Sequence, residues 1–112
     1  MEKFNEKEKA FRSGDSGPKY FIKGPYWEGG VLVFKPGQSL GEHWHEHVEE
    51  TFYFLEGTAK MIVNSIEYSV LPGDVFRLYV KDKHDIINDT DKPVKIFFVK
   101  SPFNPEDKFP KC

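Results

Sequence analysis

Histidine is unevenly distributed along this chain of 112 residues. Three of its four histidines, His43, His45 and His47, fall within five positions, and the fourth is His84. Neutral imidazole is the side-chain group that most often binds metals in proteins, and acidic residues lie close by in sequence. The spacing of these residue types therefore predicts a metal site.

The first three histidines lie on a predicted strand, in which alternate side chains face the same side. His43 and His45 therefore project together. Glu50 has the opposite parity and joins them only if the chain bends or bulges shortly before it. Glu49 would lie on the same face of a continuous strand as His43 and His45. The direction of the His47 side chain stays open, because His47 lies inside the expected bend or bulge.

Three imidazoles and one carboxylate complete the site if His84, on a separate predicted strand, joins it. A mixed nitrogen and oxygen donor set suits Fe, Mn, Co, Ni, Cu or Zn better than Mg or Ca, which prefer oxygen ligands alone. We expect one divalent transition-metal ion per chain, and the donor types leave its identity open among those six. An isolated pair of surface histidines is the competing interpretation, and the accompanying carboxylate and fourth histidine weaken it.

The elements that must position these side chains are short β-strands. From Tyr20 onward, runs rich in Val, Ile, Phe and Tyr alternate with turn residues at a spacing of about ten residues. This rhythm predicts a sandwich or small barrel and not βαβ units. Predicted strands cover residues 30–34, 43–47, 51–55, 60–63, 66–70, 75–80, 84–87 and 94–99, with a tight hairpin turn at Asn64-Ser65.

The two ends of the chain differ from this β-rich middle. Residues 1–19 mix charges and close with a Gly/Ser/Pro turn, which predicts a loosely attached arm. Residues 101–112 carry three prolines and form a predicted tail, which Phe103 and Phe109 could pin across the body as a strap. The β-barrel is expected to occupy residues 20–100.

Residues 37–57 resemble the first motif of the cupin family, G-x5-H-x-H-x3,4-E-x6-G. Every fixed position of that motif is matched, by Gly37, His43, His45, Glu50 and Gly57.

Residues 73–88 resemble the second cupin motif, G-x5-P-x-G-x2-H-x3-N. Gly73, His84 and Asn88 stand at its glycine, histidine and asparagine positions, whereas Tyr79 and Lys81 replace its proline and glycine. That departure affects the turn before His84 and leaves His84 available as a ligand. The motif glycines take turn positions at which a residue without Cβ can adopt positive φ.

The resemblance implies an all-β fold, a small β-barrel of the jelly-roll type. It also implies the metal ligands, which are His43, His45, Glu50 and His84. Glu50 is favoured over Glu49, because Glu49 lies one residue too far from Gly57 for the family's spacing. For His47 we expect a place beside the site or at the surface.

Four protein ligands on a six-coordinate ion leave two positions for a small molecule such as a 2-hydroxy acid, a 2-keto acid or an enediol. The resemblance favours an enzyme that acts on a small oxygenated metabolite by isomerisation, decarboxylation, elimination or dioxygenation. One alternative is a non-catalytic protein that binds a sugar or organic acid through the metal, and another is a cupin whose metal mainly stabilises the fold.

Other side chains have open roles at this stage. The general base stays open among Glu49, His47 and a tyrosine. Arg77 and Lys60 are candidate anchors for a substrate carboxylate if either points into the barrel, and solvated residues of the outer face if not.

Composition excludes several partners. The 16 basic and 18 acidic residues give a net charge of −2, whereas a nucleic-acid-binding face normally shows a basic excess. No apolar run approaches the roughly 20 residues that span a bilayer, and the first residues lack the apolar core of a signal peptide. We therefore expect a cytoplasmic protein that binds neither nucleic acid nor membrane. Cys112 is the sole cysteine and is predicted to be a bystander.

A homodimer is expected from one strand and from the family. If Phe52 and Phe54 face the barrel interior, Tyr53 and Leu55 face outward and need cover. Small cupins also commonly dimerise through a sheet. The alternative is that the chain's own tail, at Phe103 and Phe109, or the edge of the second sheet provides the cover.

Overall fold

The computed structural model describes residues 1–111, and Cys112, the predicted bystander, lies outside the described residues. Within residues 1–111 the chain forms one short 3-10 helix and eight strands. The helix is Glu6–Glu8, and the strands are β1 Gly17–Lys23, β2 Glu28–Phe34, β3 Glu49–Glu56, β4 Ala59–Val63, β5 Ile66–Val70, β6 Val75–Leu78, β7 His84–Ile87 and β8 Val94–Ser101. No helix in this range has the length and hydrophobicity that crossing a membrane requires.

The strands form two antiparallel sheets. The larger sheet has the order β1-β2-β8-β3-β6 and the smaller has the order β5-β4-β7. The core contains side chains from both sheets, among them Phe52, Phe54, Met61, Ile86, Ile96 and Phe98. The predicted all-β, jelly-roll-type fold is confirmed, although the two sheets remain separate ladders and do not close into a strict barrel.

Strand β3 shows how period-two alternation positions the site. Its inward residues are Glu50, Phe52 and Phe54, all of them buried. Tyr53 and Leu55 alternate with them and face outward, with 42% and 39% of their surface exposed, as predicted. Because Glu50 shares its face with core phenylalanines, its carboxylate is carried into one end of the space between the sheets.

The prediction of a strand over residues 43–47 is wrong. The segment makes only isolated bridges, in which His43 pairs with His84 and Trp44 pairs with Phe109. It then bends at residues 46–47, where the carboxylate of Asp107 accepts hydrogen bonds from backbone N–H groups that a regular strand would direct to a neighbouring strand. This bend turns the chain before Glu50, as is needed for Glu50 to face the same side as His43 and His45.

Both ends of the chain pack against this body. In the arm, Glu6 accepts a hydrogen bond from Lys95 Nζ at 2.8 Å, and Phe4 lies 6.0 Å from Phe21 between ring centroids. In the tail, the ring of Phe109 stacks on Trp44 at 6.0 Å. Side-chain contacts therefore hold both ends against the body, and the division into arm, barrel and tail stays a prediction.

In the turn before His84, Lys81 occupies the position of the cupin motif's glycine and adopts a positive φ. Lys81 has φ of 70°, in the left-handed region that L-residues disfavour, and its N–H donates to the backbone oxygen of His45 at 2.6 Å. The hydrogen bond keeps the turn despite the side chain.

We expect Lys81→Gly to be more stable than Lys81→Ala by about 1 kcal/mol, because glycine relieves the positive φ whereas alanine keeps it. Both variants remove the same exposed side chain and keep the backbone N–H, so the comparison isolates the conformation. Urea denaturation of the two proteins measures the difference. Equal stability, or a less stable glycine variant, would show that the turn carries no strain.

Candidate metal centre

Four side chains that the cupin motifs imply as ligands lie together. His43 and His45 come from the irregular segment before β3, Glu50 from β3, and His84 from the start of β7. One potential ligand atom from each lies within 4.8 Å of the others, and all four residues are buried. Reciprocal backbone hydrogen bonds of 2.9 and 3.0 Å join His43 to His84 and hold the irregular segment against the start of β7.

Backbone carbonyl oxygens orient all three imidazoles. Because a carbonyl oxygen can only accept, each contacting Nδ1 must carry a proton, and in the neutral ring Nε2 then keeps its lone pair for a metal. The three pairs are His43 with Gly41 at 2.8 Å, His84 with Asp82 at 2.9 Å, and His45 with Asp107.

The cluster fits a cation. Glu50 Oε1 lies 3.2 Å from His45 Nε2 and 3.3 Å from His84 Nε2. The geometry of the His84 contact does not make a hydrogen bond, so His84 Nε2 is buried without a hydrogen-bond partner among residues 1–111. Nitrogen lone pairs and a carboxylate that face each other repel one another unless a proton or a metal ion lies between them. A divalent ion would satisfy the imidazole nitrogens and the carboxylate together.

The electrostatics of the metal-free cluster favour the ligand-competent charge states of Glu50 and His43, whereas the pKa of His45, despite its burial, is raised by contact with Glu50. Burial raises the pKa of Glu50, but the adjacent His45 and His84 outweigh it and bring the pKa to about 2. Burial, followed by the neighbouring His84, lowers the pKa of His43 to about 4. At neutral pH, Glu50 is therefore ionised and His43 is uncharged, which are the states that metal ligation requires.

A cavity of about 370 Å³ adjoins the cluster. His43, His45 and Glu50 line one part of it, and its apolar wall includes Leu32, Phe34, Leu40 and Phe98. A small molecule in this cavity reaches the predicted ligands from one side, while apolar and polar side chains together line the rest of it.

Two polar residues that the sequence analysis did not single out, Tyr20 and Lys100, line this cavity, and Glu28 lies beside them. Lys100 Nζ lies 3.0 Å from Glu28 Oε1 and donates to the Tyr20 hydroxyl oxygen at 3.2 Å. Burial lowers the pKa of Lys100, but Glu50, Tyr20 and Glu28 outweigh it, so the pKa is raised overall. Lys100 is therefore a half-buried cation beside the Tyr20 hydroxyl.

The family profile described as "Cupin domain" matches residues 30–100 of the chain, which is more than half of its length. The chain belongs to the cupin family. The matched range includes both motifs and all four clustered residues.

Relatives of this cupin include two curated proteins of greater length. "Polyketide synthase CurC" of Streptomyces cyaneus is 23% identical over 77 residues, covering 69% of this chain and 50% of that protein. "Tetracenomycin polyketide synthase protein TcmJ" of Streptomyces glaucescens is 28% identical over 76 residues, covering 68% and 51%. The cupin thus spans about half the length of the curated relatives that it matches.

A solved structure has the same fold over nearly the whole chain. It is an uncharacterized conserved protein with a double-stranded β-helix domain from Klebsiella pneumoniae. The TM-score is 0.79 at 22% identity, covering 93% of this cupin and 92% of that chain.

Asp107, in the C-terminal tail, supports the cluster although no sequence motif marks it. Its backbone oxygen accepts from His45 Nδ1, and its carboxylate accepts from the N–H groups of Glu46 at 2.9 Å and His47 at 2.7 Å. Burial raises the pKa of Asp107, but these backbone donors outweigh it and lower the pKa overall. One tail residue thus orients a predicted ligand and holds the bend beside it.

Several candidates from the sequence lie away from the cavity. His47 is exposed, and Glu49 forms a surface ion pair at 3.0 Å with Arg77. Lys60 lies 3.8 Å from Glu67, on the side of β4 opposite its buried residues. Period-two alternation explains these positions, because Glu49 and Lys60 are sequence neighbours of inward-facing residues. Neither Arg77 nor Lys60 anchors a ligand here, and the expectation for His47 of a place at the surface agrees with its position.

Without metal, the stability of this cupin depends on pH through His43. Its pKa is about 4 in the folded protein against 6.5 as the ordinary value. Between these values the unfolded chain binds the proton and the folded chain does not, so stability falls as pH falls. We expect the free energy of unfolding to drop by about 2 kcal/mol between roughly pH 6.5 and pH 4.5.

Urea denaturation of the metal-free protein across this pH range measures the drop. The pKa of His45 is raised, so its contribution to stability is lost only as pH rises above 6.5. The pKa of Glu50 is lowered, so its contribution to stability is lost only as pH falls below 4.5. His43→Gln is expected to flatten the dependence, whereas His47→Gln keeps it. An unchanged slope in the His43→Gln protein would assign the effect elsewhere.

Proposed function

We propose that this cupin binds one divalent transition-metal ion through His43, His45, Glu50 and His84 and acts as an enzyme on a small oxygenated metabolite. The observation that carries the proposal is the buried set of three oriented imidazoles and one carboxylate beside a cavity. The donor set accommodates Fe, Mn, Co, Ni, Cu or Zn. The reaction classes proposed are isomerisation, decarboxylation, elimination and dioxygenation.

When bound, such an ion supplies Lewis-acid polarisation of a carbonyl oxygen or, if redox-active, one-electron chemistry. Leu32, Phe34 and Phe98 supply apolar surface against which a bound molecule would pack. Tyr20 is the proposed acid or base, since it lines the cavity and its hydroxyl accepts a hydrogen bond from Lys100. It belongs to the tyrosine class considered from the sequence, and Glu49 and His47 lie elsewhere.

The relatives support a carbonyl-bearing substrate. Both curated relatives are named for polyketide synthesis, and polyketides as a class are rich in carbonyl oxygen. A compound with two oxygens on neighbouring or alternate carbons suits chelation at a metal. The substrate of this cupin is accordingly proposed to chelate through carbonyl, hydroxyl or carboxylate oxygens.

Reconstitution with Mn²⁺ of protein purified without a histidine tag tests the proposal. We expect about one ion per chain by elemental analysis and an enhanced relaxation of water protons, because open positions hold exchangeable water. A chelating 2-hydroxy or 2-keto acid should reduce that enhancement. A protein that takes up no metal would refute the proposal, and a bound ion without exchangeable water would favour a structural metal.

Turnover separates the enzyme from a binding protein. Exchange of the proton beside the carbonyl of a 2-keto acid with D₂O, followed by NMR, reports proton abstraction, and an oxygen electrode reports dioxygenation. Tyr20→Phe is expected to slow exchange at least about tenfold while leaving metal content unchanged. Metal-dependent binding of the acids with no turnover would support the non-catalytic alternative.

We also propose that the cupin is a homodimer. Tyr53 and Leu55 of β3 are exposed on the outer face of the larger sheet, and Val75 is 61% exposed on β6, which forms one edge of that sheet. A second copy would cover these apolar side chains. Light scattering at about 10 μM should give the mass of two chains, and Leu55→Lys should halve it, whereas Tyr26→Lys should not. The mass of one chain for the wild type would exclude the dimer.

A further inference from the structure

We infer that the ligand of the cavity is a small organic anion, and that its anionic oxygens bind at the cavity wall between Arg12 of the arm and Lys108 of the tail. This inference deepens the proposed function and rests on it for the chemistry at the metal end of the cavity. It replaces the sequence-based candidates Arg77 and Lys60, which pair with carboxylates on the outer surface.

The two cations differ from Lys100, the other basic side chain of the cavity, in having no acidic partner. Neither the Arg12 guanidinium nor the Lys108 ammonium lies within 4 Å of a carboxylate in residues 1–111. Lys100, by contrast, is neutralised by Glu28 at 3.0 Å. Two unpaired positive charges therefore line a cavity whose other charges are matched.

Both cations face the same space as the predicted metal ligands. Arg12 and Lys108 line the cavity together with His43, His45 and Glu50. They also line a neighbouring cavity of about 280 Å³ that shares His45.

Nearby carboxylates are committed to other contacts. Asp107, the sequence neighbour of Lys108, accepts from two backbone N–H groups of the bend. Glu50 is held by His45 at 3.2 Å and belongs to the proposed metal site. The positive charge contributed by the arm and the tail thus remains available to a ligand, and a divalent ion would add to it.

The chemistry of the two cations defines the ligand class. A guanidinium binds carboxylate or phosphate oxygens in a bidentate way, and an ammonium adds a point charge. The cations and the cluster line the same cavity, so the ligand is expected to carry both an anionic group and chelating oxygens. A cavity of about 370 Å³ lies at the small end of ligand sites.

Titration of ¹⁵N-labelled, Zn²⁺-loaded protein with matched pairs of probes tests the inference. The pairs are lactate with lactamide, glucuronate with glucuronamide, and glucose 6-phosphate with glucose. We expect at least one anion to shift the amide signals of residues 12 and 108 and to bind at least about tenfold more tightly than its uncharged counterpart. The carboxylate and phosphate pairs show which anionic group is preferred.

Variants locate the effect. Arg12→Gln and Lys108→Met should each weaken anion binding roughly two- to five-fold, as for solvent-screened ion pairs, and leave the uncharged probes unaffected. Lys92→Met removes the same charge from an exposed position that does not line the cavity and should change nothing. Anion binding should also weaken with added salt.

The possible failures are distinguishable because metal content is measured on the same samples. Metal-loaded protein with no anion binding, with equal binding of charged and uncharged probes, or with full affinity in both variants would overturn the inference. Protein that takes up no metal but still binds anions through Arg12 and Lys108 would support the anion site and refute the proposed function.

Discussion

The double variant His45→Ala, His84→Ala is expected to retain less than about a tenth of the metal of the wild-type cupin under the same reconstitution. These residues supply two of the three oriented imidazoles, and both approach Glu50 Oε1 within 3.3 Å. The remaining pair, His43 and Glu50, offers too few donors to hold an ion against water. Elemental analysis after gel filtration measures the loss.

The same loss should appear in stability. A metal that binds only the folded state at a hundred times its dissociation constant adds about 2.7 kcal/mol to the free energy of unfolding. We expect this increment in the wild type and in His47→Ala, the matched control, whose side chain is exposed. The double variant should show none of it. Since alanine at buried positions could impair folding, circular dichroism and the single variants His45→Gln and His84→Gln accompany it. Full metal content in folded variants would refute the ligand assignment.

Removal of the C-terminal tail from residue 104 onward is expected to weaken metal binding about ten- to a hundred-fold, although no predicted ligand is deleted. The deletion removes the backbone oxygen of Asp107, which fixes the His45 ring, and the carboxylate that holds the bend. It also removes the stacking of Phe109 on Trp44. Competition with a chromophoric chelator measures the affinity.

Point variants separate the parts of this effect. Asp107→Ala keeps the backbone oxygen and removes only the carboxylate, so the bend loses two charge-assisted hydrogen bonds, with an expected cost of about 2–4 kcal/mol in the free energy of unfolding. Glu106→Ala, at the exposed neighbouring position, should cost less than about 0.5 kcal/mol. Wild-type affinity in the truncated protein would show that the ligand orientation does not depend on the tail.

The sequence predicts those residues of the site that lie close together along the chain or belong to a short motif. His43, His45 and Glu50 belong to one short motif, and His84 belongs to a second motif on a strand with clear β-character. Lys100 was also within reach of sequence reasoning. It shares the parity of Val94, Ile96 and Phe98 on β8, so alternation alone marks it as inward-facing.

Other parts of the site have no local signal. Residues 43–47 were predicted as a strand because their parity suits one, but a hydrogen-bond acceptor more than 60 residues away replaces the ladder. Arg12 and Lys108 lie in segments of turn-like and proline-rich composition, whose path depends on tertiary contacts such as the bridge between Trp44 and Phe109. Periodicity carries no information about such contacts.

The hydrogen bond between His45 and Asp107 also bears on the order of folding. It joins residues 62 positions apart, so its formation closes a long loop and carries the entropic cost of doing so. Non-local contacts of this kind form slowly compared with the hairpins of the sheets. We therefore expect the barrel to assemble first and the imidazole of His45 to be locked only when the tail docks. Metal capture would then be one of the last events in the maturation of this cupin.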